Sequence, residues 1–151
     1  MIKVITVGSI KEKYLKDGME EYKKRISKYT NLEIIEVKDE GLVEEKKALE
    51  MEALKIEKHL GEKDYIITME IDGKEYTSPE FAEKIRTIFI ENSNITFIIG
   101  GSYGLSDSIK NKANLHLSFS KLTFPHQLFR VILLEQIYRA YKINNNESYH
   151  K

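Results

Sequence analysis

A chain of 151 residues with 41% apolar content can bury the core of one compact domain, residues 1–151, and is short for two. It carries 24 basic and 24 acidic residues and no cysteine, which sets aside bulk electrostatic coating of nucleic acid, a disulfide framework, a thiolate nucleophile and a cysteine-based zinc site. No run approaches membrane-spanning length and no leader-like segment opens the chain, so a cytoplasmic protein with no membrane partner is expected. The charge is uneven: from Leu105 onward seven Lys/Arg stand against three acids, a local surplus of +4 suited to a polyanion held in one place.

In chain order, residues 2–7 read as a buried strand ending at Gly8-Ser9, and residues 11–29 as a covering helix with Tyr14, Leu15, Gly18, Tyr22 and Ile26 at helical spacing. Residues 32–37 form a second strand. A charged helix over 43–60 follows, its narrow apolar stripe made by Leu49, Ala53, Ile56 and Leu60, with Gly61 in the C-cap role. A third strand over 65–69 runs into a turn signalled by Asp72-Gly73. Ser78 as N-cap and Pro79 at the first helical position start the next helix, which buries Phe81, Ala82, Ile85, Ile88 and Phe89. Residues 95–99 are a fourth strand, a short helix begins near Ser106-Asp107, and 115–119 are a fifth strand. A final helix spans about 124–143. Such alternation predicts an α/β fold, a mainly parallel sheet with helices on both faces.

The final helix is apolar nearly all round, with Leu128, Val131, Ile132, Leu133, Leu134, Ile137, Tyr138 and Tyr141. One of its faces should therefore be covered by a second copy of the chain, giving a two-fold homodimer through this helix; the alternative is a helix sandwiched inside the monomer. His126 and Arg130 intrude on that apolar surface four residues apart. Tyr138, Tyr141 and Tyr149 suit either base stacking or an interface.

Two apolar strands deliver into small-residue turns, Gly100-Gly101-Ser102-Tyr103-Gly104 and 119–124, and the second opens the long helix. Side by side they make a crevice in which peptide groups can read a flat heterocycle. The phosphate loop of NTPases fails for want of its lysine, and the dinucleotide fingerprint fails because Gly-Gly-x-x-Gly follows the fourth strand rather than the first. No His-Glu-x-x-His or Gly-x-Ser-x-Gly occurs, so neither a metal partner nor a serine nucleophile is expected. Reactions in which alignment does most of the work remain, with methyl transfer from a sulfonium donor the leading example.

The stretches Ile99-Gly-Gly-Ser-Tyr-Gly-Leu105, Leu117-Ser-Phe-Ser-Lys-Leu-Thr-Phe-Pro-His-Gln-Leu-Phe-Arg-Val131, Glu135-Gln-Ile-Tyr-Arg-Ala-Tyr-Lys-Ile143 and Tyr149-His150-Lys151 resemble the small ribosomal RNA methyltransferases of the SPOUT class. More closely, the chain is similar to the family that methylates N3 of a pseudouridine in large-subunit rRNA, over essentially its whole length. The resemblance implies a deep C-terminal trefoil knot, a homodimer, S-adenosyl-L-methionine held in the knot, and the ribosome as substrate. Position by position it implies a donor pocket of Met69, Gly100 and the turn Phe119, Ser120, Lys121, Leu122, Thr123, Phe124. Its substrate side would be His126, Arg130, Tyr138, Arg139, Tyr149, His150 and Lys151. Here Met69 replaces the leucine common in relatives, Ser148 a frequent proline, and Lys151 a frequent arginine, which removes a bidentate phosphate contact. His150 or His126 would take the ring proton, and Arg130 or Arg139 would stabilise the ring anion or hold a phosphate. A ribosome-binding module without catalysis, and an unknotted nucleotide-binding protein that holds phosphate at Gly100 to Gly104, are the competing readings.

Overall fold

The computed structural model describes all 151 residues. Its elements are β1 (Ile2–Val7), α1 (Lys13–Ile26), β2 (Leu32–Val37), α2 (Glu45–Glu57), β3 (Asp64–Glu75), α3 (Ser78–Glu91), β4 (Asn94–Ile99), α4 (Asp107–Lys110), β5 (Leu115–Ser118) and α5 (His126–Asn144). The five strands form one parallel sheet in the order β2-β1-β4-β3-β5. Apolar residues such as Ile5, Phe97 and Ile98 bury the central strands β1 and β4 at every position but Lys3 and Asn94, because helices cover both faces. Burying each such side chain contributes about 1.5–3 kcal/mol. One face carries α1, α3 and α5 over a core that includes Met19, Phe81 and Leu134; the other carries α2 and α4 over Ile56 and Ile109. No helix is long and apolar enough to cross a membrane.

Local chemistry moves several expected boundaries. The N-cap of α3 is Thr77, not Ser78: Thr77 Oγ1 accepts from Glu80 N at 3.2 Å while Glu80 Oε2 accepts from Thr77 N, a complete capping box. Ser78 is the first helical residue, and its hydroxyl donates instead to Gln136 Oε1 at 3.1 Å. Gly61 does not cap α2, which ends at Glu57; its N–H donates to Asp64 Oδ2 at the start of β3. The N-terminal fringes expected of α1 and α5 stay outside the helices, which begin at Lys13 and His126.

The largest departure from the strand pattern is in β3. Leu117 of β5 registers with both Met69 and Lys74, so residues 70–73 leave the ladder between two points of contact with the same neighbour. Ile71 O accepts from Ser118 Oγ at 3.0 Å. Gly73 lies so close that an added Cβ would sit 2.7 Å from the Leu117 carbonyl carbon, which makes it a close-approach glycine rather than a turn glycine. Beyond β5, at the sheet edge, α5 runs back to pack against both α1 and α3.

The same packing accounts for much of the apolar circumference of α5. Arg130, Leu133, Leu134, Ile137 and Ala140 are buried within the chain, and Tyr29 stacks on Tyr141 with centroids 5.6 Å apart. Leu128 stays 38% exposed.

Candidate active site

The two turns named from sequence do meet. A cavity of about 360 Å³ lies between the end of β3, the turn after β4 and the loop from β5 to α5, within the usual range for small-molecule sites. Met69, Gly100, Phe119, Ser120, Leu122, Thr123 and Phe124 line it; Lys121 is exposed and does not. Sequence reasoning missed Glu70, Asp72, Lys110 and Phe129, which the bulge of β3, α4 and the first turn of α5 bring to the wall. Their only sequence signal was nearness to the expected turns.

The glycine turn has an internal cause. Gly104 N donates to Gly101 O at 3.0 Å, and a Cβ on Gly100 would lie 2.4 Å from Gly104 O. The space denied to a side chain at Gly100 is filled by the chain's own carbonyl rather than reserved for a ligand. Gly104 adopts φ +76°, a left-handed conformation that turns the chain into Leu105. Across the cavity, Ser120 Oγ accepts from Leu122 N at 2.9 Å and shapes the second turn.

At the cavity rim Thr68 Oγ1 donates to Glu70 Oε2 at 2.6 Å, and His116 Nδ1 contacts the same carboxylate. Glu70 Oε1 also lies 3.9 Å from Lys110 Nζ, so this acid is paired within the chain, whereas Asp72 forms no ion pair; the wall beside them includes peptide groups, Leu117 and aromatic rings. Such a wall accepts a flat heterocycle, and the Asp72 carboxylate favours a cation beside it.

The residues expected on the substrate side separate into three places. His126 is exposed and lines the cavity. Arg130 is 2% exposed and directed elsewhere: Nη1 donates to Glu36 Oε2 at 2.8 Å, and Nη2 to Val7 O at 3.0 Å and Gly8 O at 2.9 Å. Burial pushes its guanidinium down from the ordinary value, and Glu36 opposes that shift. Tyr138, Arg139, Tyr149 and His150 gather near the far end of α5. There Glu135 accepts from Arg139 and from Tyr149 Oη at 3.2 Å, while His150 Nδ1 lies 3.2 Å from Arg139 Nη1. Burial, then the Glu135 charge, pushes the Tyr149 phenol up to about 12. Lys151 is exposed at the terminus.

A family described as "Predicted SPOUT methyltransferase" matches residues 1–150. The chain belongs to the SPOUT methyltransferase family. Relatives agree along the full length: a protein from Methanococcus maripaludis is 57% identical over 157 aligned positions, covering 99% of each chain. One from Streptococcus uberis, named ribosomal RNA large subunit methyltransferase H, is 52% identical with the same coverage. Among solved structures, "a probable methylase family protein" from Haemophilus influenzae superposes with a TM-score of 0.60 at 15% identity, over 99% of this chain and 70% of that one. The path of β5 and α5 is thus the trefoil knot of SPOUT methyltransferases, whose methyl donor is S-adenosylmethionine. The cavity fits that donor, because it offers peptide edges and aromatic faces for a purine and the Asp72 carboxylate for a positive charge.

Proposed function

We propose that this chain, one methyltransferase domain over residues 1–151, transfers a methyl group from S-adenosylmethionine to N3 of a pseudouridine in large-subunit rRNA of the cytoplasmic ribosome. The observation that carries this reading is full-length identity above one half to relatives that include a named ribosomal RNA large subunit methyltransferase H, joined to a knot cavity that fits the donor. S-adenosylmethionine, when bound, supplies an electrophilic methyl carbon on a sulfonium. Met69, Gly100 and the cavity-lining residues of the turn, Phe119, Ser120, Leu122, Thr123 and Phe124, would hold it, and the cavity's apolar wall would keep water from the transfer.

The substrate must lose its ring proton as N3 attacks. His126, at the cavity mouth, is one base; His150, beside Arg139, is the other. Thirteen residues of helix separate His126 from Arg139, about 20 Å at 1.5 Å per residue. His150 and Arg139 therefore serve a cavity other than their own. That separation supports a homodimer in which the tail of one chain, with Tyr138, Arg139, Tyr149, His150 and Lys151, faces the donor cavity of its partner. Arg139 then stabilises the ring anion or an adjacent phosphate, and Arg130 acts as a positioning residue through Glu36.

Ribosomes lacking the modification, incubated with isotopically labelled donor, are expected to yield N3-methylpseudouridine on nuclease digestion and mass spectrometry. Label on another base or on a ribose would refute the assignment. A monomer mass by light scattering at micromolar concentration would refute the composite site.

A further inference from the structure

A second cavity, of about 650 Å³, adjoins the donor cavity and shares Gly101, Ser102 and His126 with it. Its wall is polar where the donor cavity is largely apolar. Lys11, Lys38 and Asp39 stand at its rim, Asp39 with one oxygen taken by Gly41 N, and the buried Arg130 closes its floor with Glu36 beside it. Glu36 is held from two directions: Oε2 accepts from Arg130 Nη1 at 2.8 Å and from Ile10 N at 3.1 Å. Its other oxygen, Oε1, accepts from no protein donor, and the side chain is 45% exposed. A carboxylate fixed on one oxygen and open on the other presents a preorganised acceptor to whatever enters. Arg130 Nε, also buried, has no partner in the chain.

We propose that this second cavity receives the acceptor base and that Glu36 Oε1 accepts the hydrogen bond of its N1–H. The inference rests on the pseudouridine reading above. Pseudouridine carries ring N–H groups at N1 and N3, whereas uridine has its N1 bonded to the sugar and offers only N3–H. With N3 turned through the shared wall of Gly101 and Ser102 toward the donor, N1–H is the remaining ring donor and the group that separates the two substrates. Glu36 is then a specificity-determining residue, placed by the same Arg130 whose other nitrogen bonds the carbonyls of Val7 and Gly8. Lys11 and Lys38 at the rim suit the flanking phosphates.

Three measurements test this. Wild-type protein and Glu36→Gln are compared on ribosomes carrying pseudouridine and on ribosomes carrying uridine at the same position, with S-adenosylhomocysteine affinity read by calorimetry for each. A glutamine amide can still accept from Arg130 and Ile10 but turns an N–H toward the ligand. The expected result is unchanged product affinity and a wild-type preference for pseudouridine in kcat/KM that falls at least about tenfold in the variant. A preference that survives in Glu36→Gln, or its absence in the wild type, overturns the proposal. Ser9→Trp, an exposed substitution at the second cavity, should block ribosome methylation with donor affinity intact; full activity in that variant also overturns it. A wild-type protein that binds S-adenosylhomocysteine yet methylates no ribosome refutes the functional reading itself, and this inference with it.

Discussion

Arg130 Nη1 donates to Glu36 Oε2 at 2.8 Å although the two residues lie 94 positions apart in the chain. The pair ties the first turn of α5 to the end of β2, and the same guanidinium caps the carbonyls of Val7 and Gly8 at the end of β1. One side chain thus fixes the threaded helix against two strands. Replacing Arg130 by Met keeps an apolar stem but takes the donor from a buried carbonyl, Val7, and a part-buried one, Gly8. Urea unfolding is expected to show a loss of about 2–4 kcal/mol, and an unchanged midpoint would refute the anchoring role.

The turn after β4 makes opposite predictions for two glycines four residues apart. Gly100→Ala places a Cβ on a backbone carbonyl, which cannot yield without opening the turn. Donor affinity measured by calorimetry should fall by about tenfold or more. At Gly104 nothing lies within 4 Å of the added atom. Gly104→Ala should cost only the strain of its positive φ, about 1–2 kcal/mol, with donor affinity nearly retained. Equal losses of affinity in both variants would contradict this account of the turn.

Glu52 of α2 is 3% exposed and accepts from Glu40 N at 2.9 Å. Burial raises its pKa above the ordinary 4.5, and the nearby charge of Asp39 adds to the shift. A raised folded-state value means the native state holds a proton the unfolded state has released. The stabilisation from this group is complete below the unfolded pKa and is lost as pH rises through the folded one. Glu52→Gln should match the wild type near pH 4 and become the more stable of the two as pH rises to 8. Denaturant midpoints across that range give the check, and parallel curves would exclude the effect.

Thr77→Ala removes one half of the capping box and should cost about 0.5–2 kcal/mol. Thr77 adjoins Leu117, Phe119 and Phe124 from the side away from the donor cavity and does not line that cavity itself, so donor affinity should change by less than about twofold. A thermal scan paired with donor calorimetry separates the two.

How much of this was legible in the sequence depends on the range of the interaction. The alternation of strand and helix, the parallel sheet and the two turns of the donor cavity follow from apolar periodicity and small residues, which act within a few positions of one another. The family resemblance, rather than periodicity, implied Met69, Gly100 and the turn 119–124 as the donor pocket, and Met69, Gly100, Phe119, Ser120, Leu122, Thr123 and Phe124 do line the cavity; the resemblance also carried the knot. Lys121, in the same run, turns outward. Periodicity could not show that 70–73 bulges around Leu117 or that Gly73 is needed for backbone contact, since both come from a strand more than forty residues later.

Tertiary structure alone decided the fate of the charged residues on α5. From spacing, His126 and Arg130 share a helix face and look like one functional pair. In the fold, His126 stays at the cavity mouth and Arg130 is buried against Glu36, Val7 and Gly8. Helical position sets which way a side chain leaves its own helix. Whether it meets solvent, ligand or a distant strand is set by the elements packed there, and here the knotted path of α5 brings the ends of β1 and β2 to Arg130.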